Sequence, residues 1–324
     1  MHIVVTEPEM ISQELQKELG SLGSVRYGPF SNDQLLQILP DCEVLMVRLG
    51  RYVGGDIIRN APRLRYVVSA TTGLDHIDVD LLKSVGIRVV CLRDCAELIQ
   101  DVSSTAEHTW GLLLSLIRFS GRAASHVLGG GWDRNLFWGK QLRGKRLGII
   151  GYGRIGRMLA DYGIAFGMEV VAFDLDTSFV QPPARFVPLY DLVQQCDVIS
   201  VNVTSDLKNR HLINRDLISQ FKPGAFFLNT ARGYLVDSIA LAETVVSGLV
   251  AGVALDVLEG EEHGSIGENH LLECARAGYN VLITPHIGGA TSEAISQTEM
   301  AVVGMLKKNY IAQSKTGFKE GRIY

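Results

Sequence analysis

The sequence predicts an α/β protein built on parallel sheets and divided into two domains. Three observations lead there. Short Val/Ile-rich runs alternate with helical patterns from end to end, which is the signature of strands joined by helical crossovers. At 324 residues the chain is longer than one hydrophobic core usually serves. A glycine-rich turn, Gly151-Tyr152-Gly153-Arg154-Ile155-Gly156, sits between an apolar run and an amphipathic stretch near the middle.

In the first third, the runs at 2–6, 44–47, 66–69 and 87–90 are read as strands, with helical stretches at 12–19 and 32–39. One long helix is then expected over 102–128. Ser103, Ser104 and Thr105 can cap it, Trp110, Leu113, Leu114 and Ile117 give it an apolar face, and Gly129-Gly130-Gly131 stops it. A second series of strands comes after it at 146–150, 170–173, 198–203, 225–229, 252–256 and 281–284, each apolar enough to be covered on both faces. Residues 291–312 return to a helical pattern. A domain boundary is expected near Gln100 and a second crossing near His286.

Composition narrows the function. Hydrophobic residues make up 47% and charged residues 20%, which is ordinary for a folded chain. Lys+Arg 31 against Asp+Glu 35 leaves a net charge of −4 and no basic surface for nucleic acid. No apolar run is long enough for a membrane span, and the start MHIVVTEPEM reads as a first strand rather than a targeting segment. Cys42, Cys91, Cys95, Cys196 and Cys274 form no C-x-x-C and no zinc-ligand spacing. They are read as reduced structural thiols, Cys91 and Cys95 included, so a cytoplasmic location is expected and no metal.

The glycine turn suits a dinucleotide. Its position between strand 146–150 and the helical face of Ile155, Leu159, Tyr162 and Phe166 allows backbone N–H groups to approach a pyrophosphate at a helix N-terminus. The next strand ends at Asp174, eighteen residues past Gly156, where a carboxylate accepts from the adenosine ribose hydroxyls. Leu175, Asp176, Thr177 and Ser178 supply no cation for a 2′-phosphate, so the expected cofactor is NAD rather than NADP.

Three later strand ends carry groups suited to carbonyl reduction. Arg232 in Asn229-Thr230-Ala231-Arg232-Gly233 can grip an α-keto carboxylate with its planar fork. His286 in Thr284-Pro285-His286 can deliver or take up the hydroxyl proton. Glu261, after Ala254-Leu255-Asp256-Val257-Leu258-Glu259-Gly260, can hold the imidazole and favour its charged form.

With these motifs in this order, the chain resembles the D-isomer-specific 2-hydroxyacid dehydrogenases, the family of 3-phosphoglycerate dehydrogenase and the glyoxylate/hydroxypyruvate reductases. The likeness runs over nearly the whole chain. It is carried by the glycine turn, by NRHLINRDLISQFKPGAFFLNTARG, GVALDVLEGEE and TPHIGGAT, and by SATTGLDHIDVD, which looks like the family's substrate loop. It implies two doubly wound parallel-sheet domains: a Rossmann NAD domain over 101–287, and a smaller flavodoxin-like substrate domain from 1–100 plus 288–324. The site would lie in the cleft between them. It implies Arg232, Glu261 and His286 as the catalytic trio. It implies substrate contacts from Arg232 and from backbone amides near Thr72 and Gly73, with Arg48 beside the distal group. Cofactor contacts are implied from Gly151, Gly153, Arg154, Ile155, Gly156, Asp174, Thr204, Thr230, Ala231, Asp256, Gly288 and Gly289, with Asp256 on the nicotinamide carboxamide. The expected activity is hydride transfer between NAD(H) and a small D-2-hydroxy acid or 2-keto acid, in a homodimer supported by the long helix.

The chain departs from the family in three places. Asn202-Val203-Thr204 replaces the usual His-x-Pro, Glu262 and His263 replace the Pro after the catalytic Glu, and Leu49 replaces a Ser after Arg48. The acid is therefore assigned by its spacing from Asp256, among Glu259, Glu261 and Glu262. The resemblance also admits a non-enzymatic NAD-sensing, corepressor-like protein. A C-terminal effector domain is not expected in the short stretch after His286.

Overall fold

The computed structural model describes residues 1–9, 11–176, 184–204, 207–261 and 266–316. Two compact units divide the chain, one made of Met1–Val102 with Ala290–Tyr324, the other of Ser103–Gly289.

The first unit runs β1 (His2–Val5), α1 (Gln13–Gly20), β2 (Ser24–Tyr27), α2 (Asn32–Ile38), β3 (Val44–Val47), α3 (Gly55–Asn60), β4 (Tyr66–Ser69), α4 (Val79–Ser84) and β5 (Arg88–Cys91), and is completed by a C-terminal helix, Ser292–Thr316. All strands pair in parallel, in the order β2-β1-β3-β4-β5, the flavodoxin-like winding. Because side chains alternate across a strand, Ile3, Val5, Val44 and Met46 face one core with Leu15, Leu19, Val302 and Leu306, while Val4, Leu45, Val47 and Val67 face another with Leu35 and Leu82. Each such Leu, fully withdrawn from water, contributes about 1.5–3 kcal/mol. Helix starts are set locally. Ser12 accepts from the Leu15 N–H at 3.1 Å, Ser31 and Gln34 form a capping box, and Asp78 caps α4 through the Leu81 N–H.

The second unit begins with α5 (Ser104–Arg118) and α6 (Ser120–Leu128). It then alternates β6 (Arg146–Ile150), α7 (Arg154–Ala165), β7 (Glu169–Phe173), β8 (Arg185–Phe186), α8 (Leu189–Gln195), β9 (Val198–Val201), α9 (Arg215–Ile218), β10 (Ala225–Asn229), α10 (Ser238–Ser247), β11 (Val250–Leu255), α11 (His270–Arg276) and β12 (Val281–Ile283). The C-terminal helix is thus α12. The seven parallel strands lie in the order β12-β11-β10-β9-β6-β7-β8, which reverses direction beside β6, the point where open α/β sheets bind ligands. α5 packs Trp110, Leu113, Leu116 and Ile117 against Leu147, Ile149 and Leu159, and Trp110 meets the rings of Tyr162 and Phe166 edge-on.

Three expectations about elements are corrected. The long helix over 102–128 is two helices, because Phe119 takes a left-handed backbone (φ 56°) that ends α5 and starts α6. The second piece buries none of its residues, so no core contact continues the axis of the first. β2 lies outside the expected strands, since Ser24-Val25-Arg26-Tyr27 is an edge strand with exposed and half-buried residues and no apolar run. β8 is also additional, because it contributes only two residues and so carries no pattern to read. All five cysteines are buried and free. Among the described residues no helix is long and apolar enough to cross a membrane.

Candidate active site

β6 delivers the chain directly into the glycine turn. Gly151 has φ +92°, and a Cβ there would lie 2.8 Å from the Asn202 carbonyl, so both conformation and space demand glycine. A Cβ on Gly156 would reach the Gly151 oxygen at 2.2 Å, which is how closely α7 packs on the turn. Gly153, the N-cap of α7, has open space around its missing side chain. α7 starts with neither a side-chain cap nor an acidic residue in its first turn, and instead places Arg154 and Ile155 there. Burial pushes the Arg154 guanidinium down from its usual value. An uncapped helix start with a cation beside it and an open glycine suits a phosphate-bearing group.

Asp174, just past β7, turns its carboxylate onto the same turn. Oδ2 accepts from the Tyr152 N–H at 2.7 Å and Oδ1 from the Asp176 N–H at 3.1 Å. Each oxygen keeps a second lone pair for hydroxyl donors. Thr177, Ser178, Glu262 and His263 lie outside the described residues. Thr204 follows β9 at the same strand-end edge as Asn202, whose side chain bonds back to Ser200.

The loop after β10 carries Thr230, Ala231 and Arg232. Asn229, fully buried, accepts from the Ala231 N–H at 3.0 Å and donates to the Arg232 carbonyl at 2.8 Å, fixing the turn from inside. Arg232 donates from Nη1 to the Ala231 carbonyl at 2.7 Å. Thr230 meets Thr109 of α5, hydroxyl to hydroxyl, at 2.7 Å. A Cβ on Gly233 would lie 2.1 Å from the Leu258 carbonyl carbon, so the arginine loop and the loop after β11 touch through backbone.

The loop after β11 carries Glu259 and Glu261, and the two have separate partners. Glu259 accepts from Arg210 at 2.6 Å, from His211 Nε2 at 2.9 Å and from Ser238 at 3.0 Å. Glu261 accepts from the Leu258 N–H at Oε2 (2.9 Å) and meets His286 Nδ1 at Oε1 (2.7 Å). His286 itself has φ +54°, a conformation that non-glycine residues adopt only where the surroundings impose it. Asp256, 1% exposed, imposes it. Its carbonyl accepts from the His286 N–H at 2.8 Å. Its Oδ1 accepts from the Ile287 N–H at 2.9 Å and from the Thr284 hydroxyl at 2.5 Å, and its Oδ2 from the Gly288 N–H at 2.7 Å. Asp256 thus organises the loop that carries His286 and Gly288, with Gly289 next along it.

In the first unit, the loop after β4 holds Thr72 and Gly73. Thr71 donates to the Gly73 carbonyl at 2.7 Å and its hydroxyl lies 2.8 Å from that of Ser69, while Arg93 Nε donates to the Thr72 carbonyl at 2.9 Å. Arg48, at the end of β3, gives Nε and Nη2 to Glu299 of α12 and Nη1 to the Glu9 carbonyl. Arg51 is held by Asn32 and the Phe30 carbonyl.

Sequence reasoning brought out the strand-end loops and missed their supports: Asn229, Thr284, Ser104, Thr109 and His108. For the last three the available signal was the set of polar residues on the starting turns of α5, where the sequence suggests only caps and an apolar face.

The NAD binding domain of the D-isomer specific 2-hydroxyacid dehydrogenases matches residues 110–288. The hydroxypyruvate reductase of Thermotoga maritima is 37% identical over 276 residues, covering 85% of this chain and 87% of that protein. The D-3-phosphoglycerate dehydrogenase of Methanocaldococcus jannaschii is 35% identical over 311 residues, covering 94% of this chain and 57% of its relative, so the chain spans little more than half of that protein. Among solved structures, the D-lactate dehydrogenase of Aquifex aeolicus, complexed with NAD and lactic acid, superposes with a TM-score of 0.80 at 27% identity, covering all of both chains.

Proposed function

Because the chain belongs to the D-isomer-specific 2-hydroxyacid dehydrogenases, we propose that it interconverts a small D-2-hydroxy acid and its 2-keto acid with NAD(H), using His286 for the proton, Glu261 as its partner and Arg232 for the carboxylate. The observation that carries this reading is the Glu261–His286 pair. Nδ1 is committed to a carboxylate that the Leu258 N–H holds in place, which leaves Nε2 as the ring nitrogen for proton exchange with the substrate oxygen. A bound nicotinamide supplies or accepts the hydride.

The glycine turn and the start of α7, with Arg154 and Ile155, hold the pyrophosphate, and Asp174 takes the ribose hydroxyls. Thr204, Thr230, Ala231, Asp256, Gly288 and Gly289 surround the rest of the cofactor. Arg232, in the loop after β10, presents a planar fork that matches a carboxylate while polarising the keto oxygen beside it. The Arg48 guanidinium, bound to Glu299 and Glu9, supports a framework role rather than recognition of a distal group.

A homodimer forms part of the same proposal. Trp132 (89% exposed) and Trp138 (76%) follow α6, whose Leu128 is also exposed, and a covering partner would withdraw these large apolar side chains from water. Five buried free thiols support a reducing cytoplasm, and the net charge of −4 supports small-molecule rather than nucleic-acid partners. The test is NADH oxidation against a panel of 2-keto acids differing in the distal group. Turnover of at least one, lost in His286→Ala, is expected. NADH binding without turnover of any would overturn the proposal in favour of an NAD-sensing protein.

A further inference from the structure

α5 is a core helix with a polar edge. Ala106, Trp110, Leu113 and Ile117 are buried in the apolar core of the second unit, whereas Ser104, Thr105, His108 and Thr109 fall in two adjacent rows spaced four residues apart. That edge lies against both candidate catalytic loops. Ser104 donates to the Gly288 carbonyl at 2.6 Å, and Thr109 bonds Thr230 in the arginine loop. His108 Nε2 stands 3.2 Å from Asp256 Oδ1 and 3.0 Å from the Thr284 hydroxyl. A Cβ on Gly288 would come within 3.3 Å of Thr105 and 3.7 Å of His108, so helix and loop are in van der Waals contact.

Proton placement defines what His108 can do there. The Thr284 hydroxyl hydrogen points at Asp256 Oδ1, 2.5 Å away, so the Thr284 oxygen turns only lone pairs toward His108. The Asp256 carboxylate likewise presents only lone pairs. Nε2 must carry a hydrogen, shared between the two acceptors, and His108 cannot serve as a base through that nitrogen. It supplies one of four donors to a carboxylate withdrawn from water, and that carboxylate orders the amides of Ile287 and Gly288.

We propose that His108 is a positioning residue. Its Nε2–H on Asp256 and Thr284 stabilises the loop that keeps His286 in its left-handed backbone and its ring on Glu261. The functional half of this inference rests on the reading of His286 as the proton carrier, while the structural half does not. Two measurements separate them. Amide hydrogen exchange of the protein without substrate is expected to quicken about tenfold at Ile287 and Gly288 in His108→Ala and to stay within roughly threefold in His108→Gln, whose carboxamide can still donate. In turnover, His108→Ala is expected to lower kcat by about 10–100-fold with KM for the keto acid within roughly threefold, and His108→Gln to recover most of it. A merely structural role would move neither the KM-against-kcat split nor the rescue. Wild-type exchange at 287–288 in His108→Ala, or equal loss of kcat in the Ala and Gln variants, would overturn the proposal. If wild type turns over no keto acid, the proposed function fails, and the exchange measurement alone still decides whether His108 orders the loop. Should His108→Ala not fold, His108→Asn, too short to reach Asp256, takes its place in both measurements.

Discussion

Arg48→Ala removes the counter-charge of a carboxylate that solvent does not reach. Glu299 is 1% exposed, accepts at Oε1 from Arg48 Nε (3.0 Å) and Nη2, and has no hydrogen-bond partner at Oε2 among the described residues. Burial pushes its carboxyl up, and Arg48 is what draws it back. Deleting one member of a buried pair typically costs about 3–5 kcal/mol. The Arg48 side chain is 20% exposed, so water enters the vacated space and the lower end, about 3 kcal/mol, is expected. For a unit of this size that corresponds to a melting temperature lower by about 10 °C. The pH dependence has a definite sign. An acid whose folded pKa is raised binds more protons folded than unfolded. Its contribution to stability is present at low pH and fades as pH climbs from the ordinary carboxylate value through the raised one. Losing Arg48 raises it further, so the deficit is full near pH 8 and shrinks toward pH 5, where a neutral carboxyl requires no counter-charge. Thermal unfolding followed by circular dichroism at both pH values measures this, with Arg48→Leu/Glu299→Leu expected to recover most of the loss. A melting point within about 2 °C of wild type at both pH values, or an equal deficit at both, would refute the argument. The same variant is expected to change KM equally for glyoxylate and for a keto acid with an anionic tail. A selective rise for the latter would return Arg48 to the substrate.

Arg232→Lys is expected to lose at least ~2 kcal/mol of transition-state binding, about thirtyfold in kcat/KM, because a point charge cannot replace a planar fork; wild-type kinetics would remove Arg232 from the site. Asp174→Ala is expected to narrow the preference for NADH over NADPH, read as the ratio of kcat/KM values, since it removes both the ribose acceptor and the charge facing a 2′-phosphate. The cysteines are expected to resist a disulfide reagent near pH 8 until the protein is denatured. Burial pushes Cys42 and Cys196 up to about 12 and raises Cys91, Cys95 and Cys274 as well, which leaves little thiolate to react. Rapid labelling of the folded protein would contradict that burial.

Strand placement was legible where burial is two-sided, because runs such as Val44-Leu45-Met46-Val47 admit no other economical reading. Edge strand β2 was not, since half its residues face water and Arg26 interrupts the pattern. The break at Phe119 left no mark either, as neither glycine nor proline stands there and only the absence of a buried face on α6 gives it away. The glycine turn and the strand-end loops could be read because their chemistry is local. The acid could be singled out only by spacing, and it took geometry to set Glu259 on Arg210 and Glu261 on His286. Arg48 shows the limit most clearly: its partner lies 251 residues away in α12, a pairing that no local pattern announces.

The first unit takes its last helix from the far end of the chain. Ala294, Ala301, Val302, Val303 and Leu306 of α12 are buried in the same core as Leu15 and Leu19. Residues 103–289 are continuous and can close their own core before α12 has been synthesised. Residues 1–102 cannot do so. They wait with one face of their sheet only partly covered, by α1 and the stretch from Leu92 to Val102, until α12 emerges, and through that interval the part of the core that Val302 and Leu306 close stays open to chaperones or to other nascent chains. Order of synthesis therefore makes the N-terminal sheet, made first, the last part of the molecule to be finished.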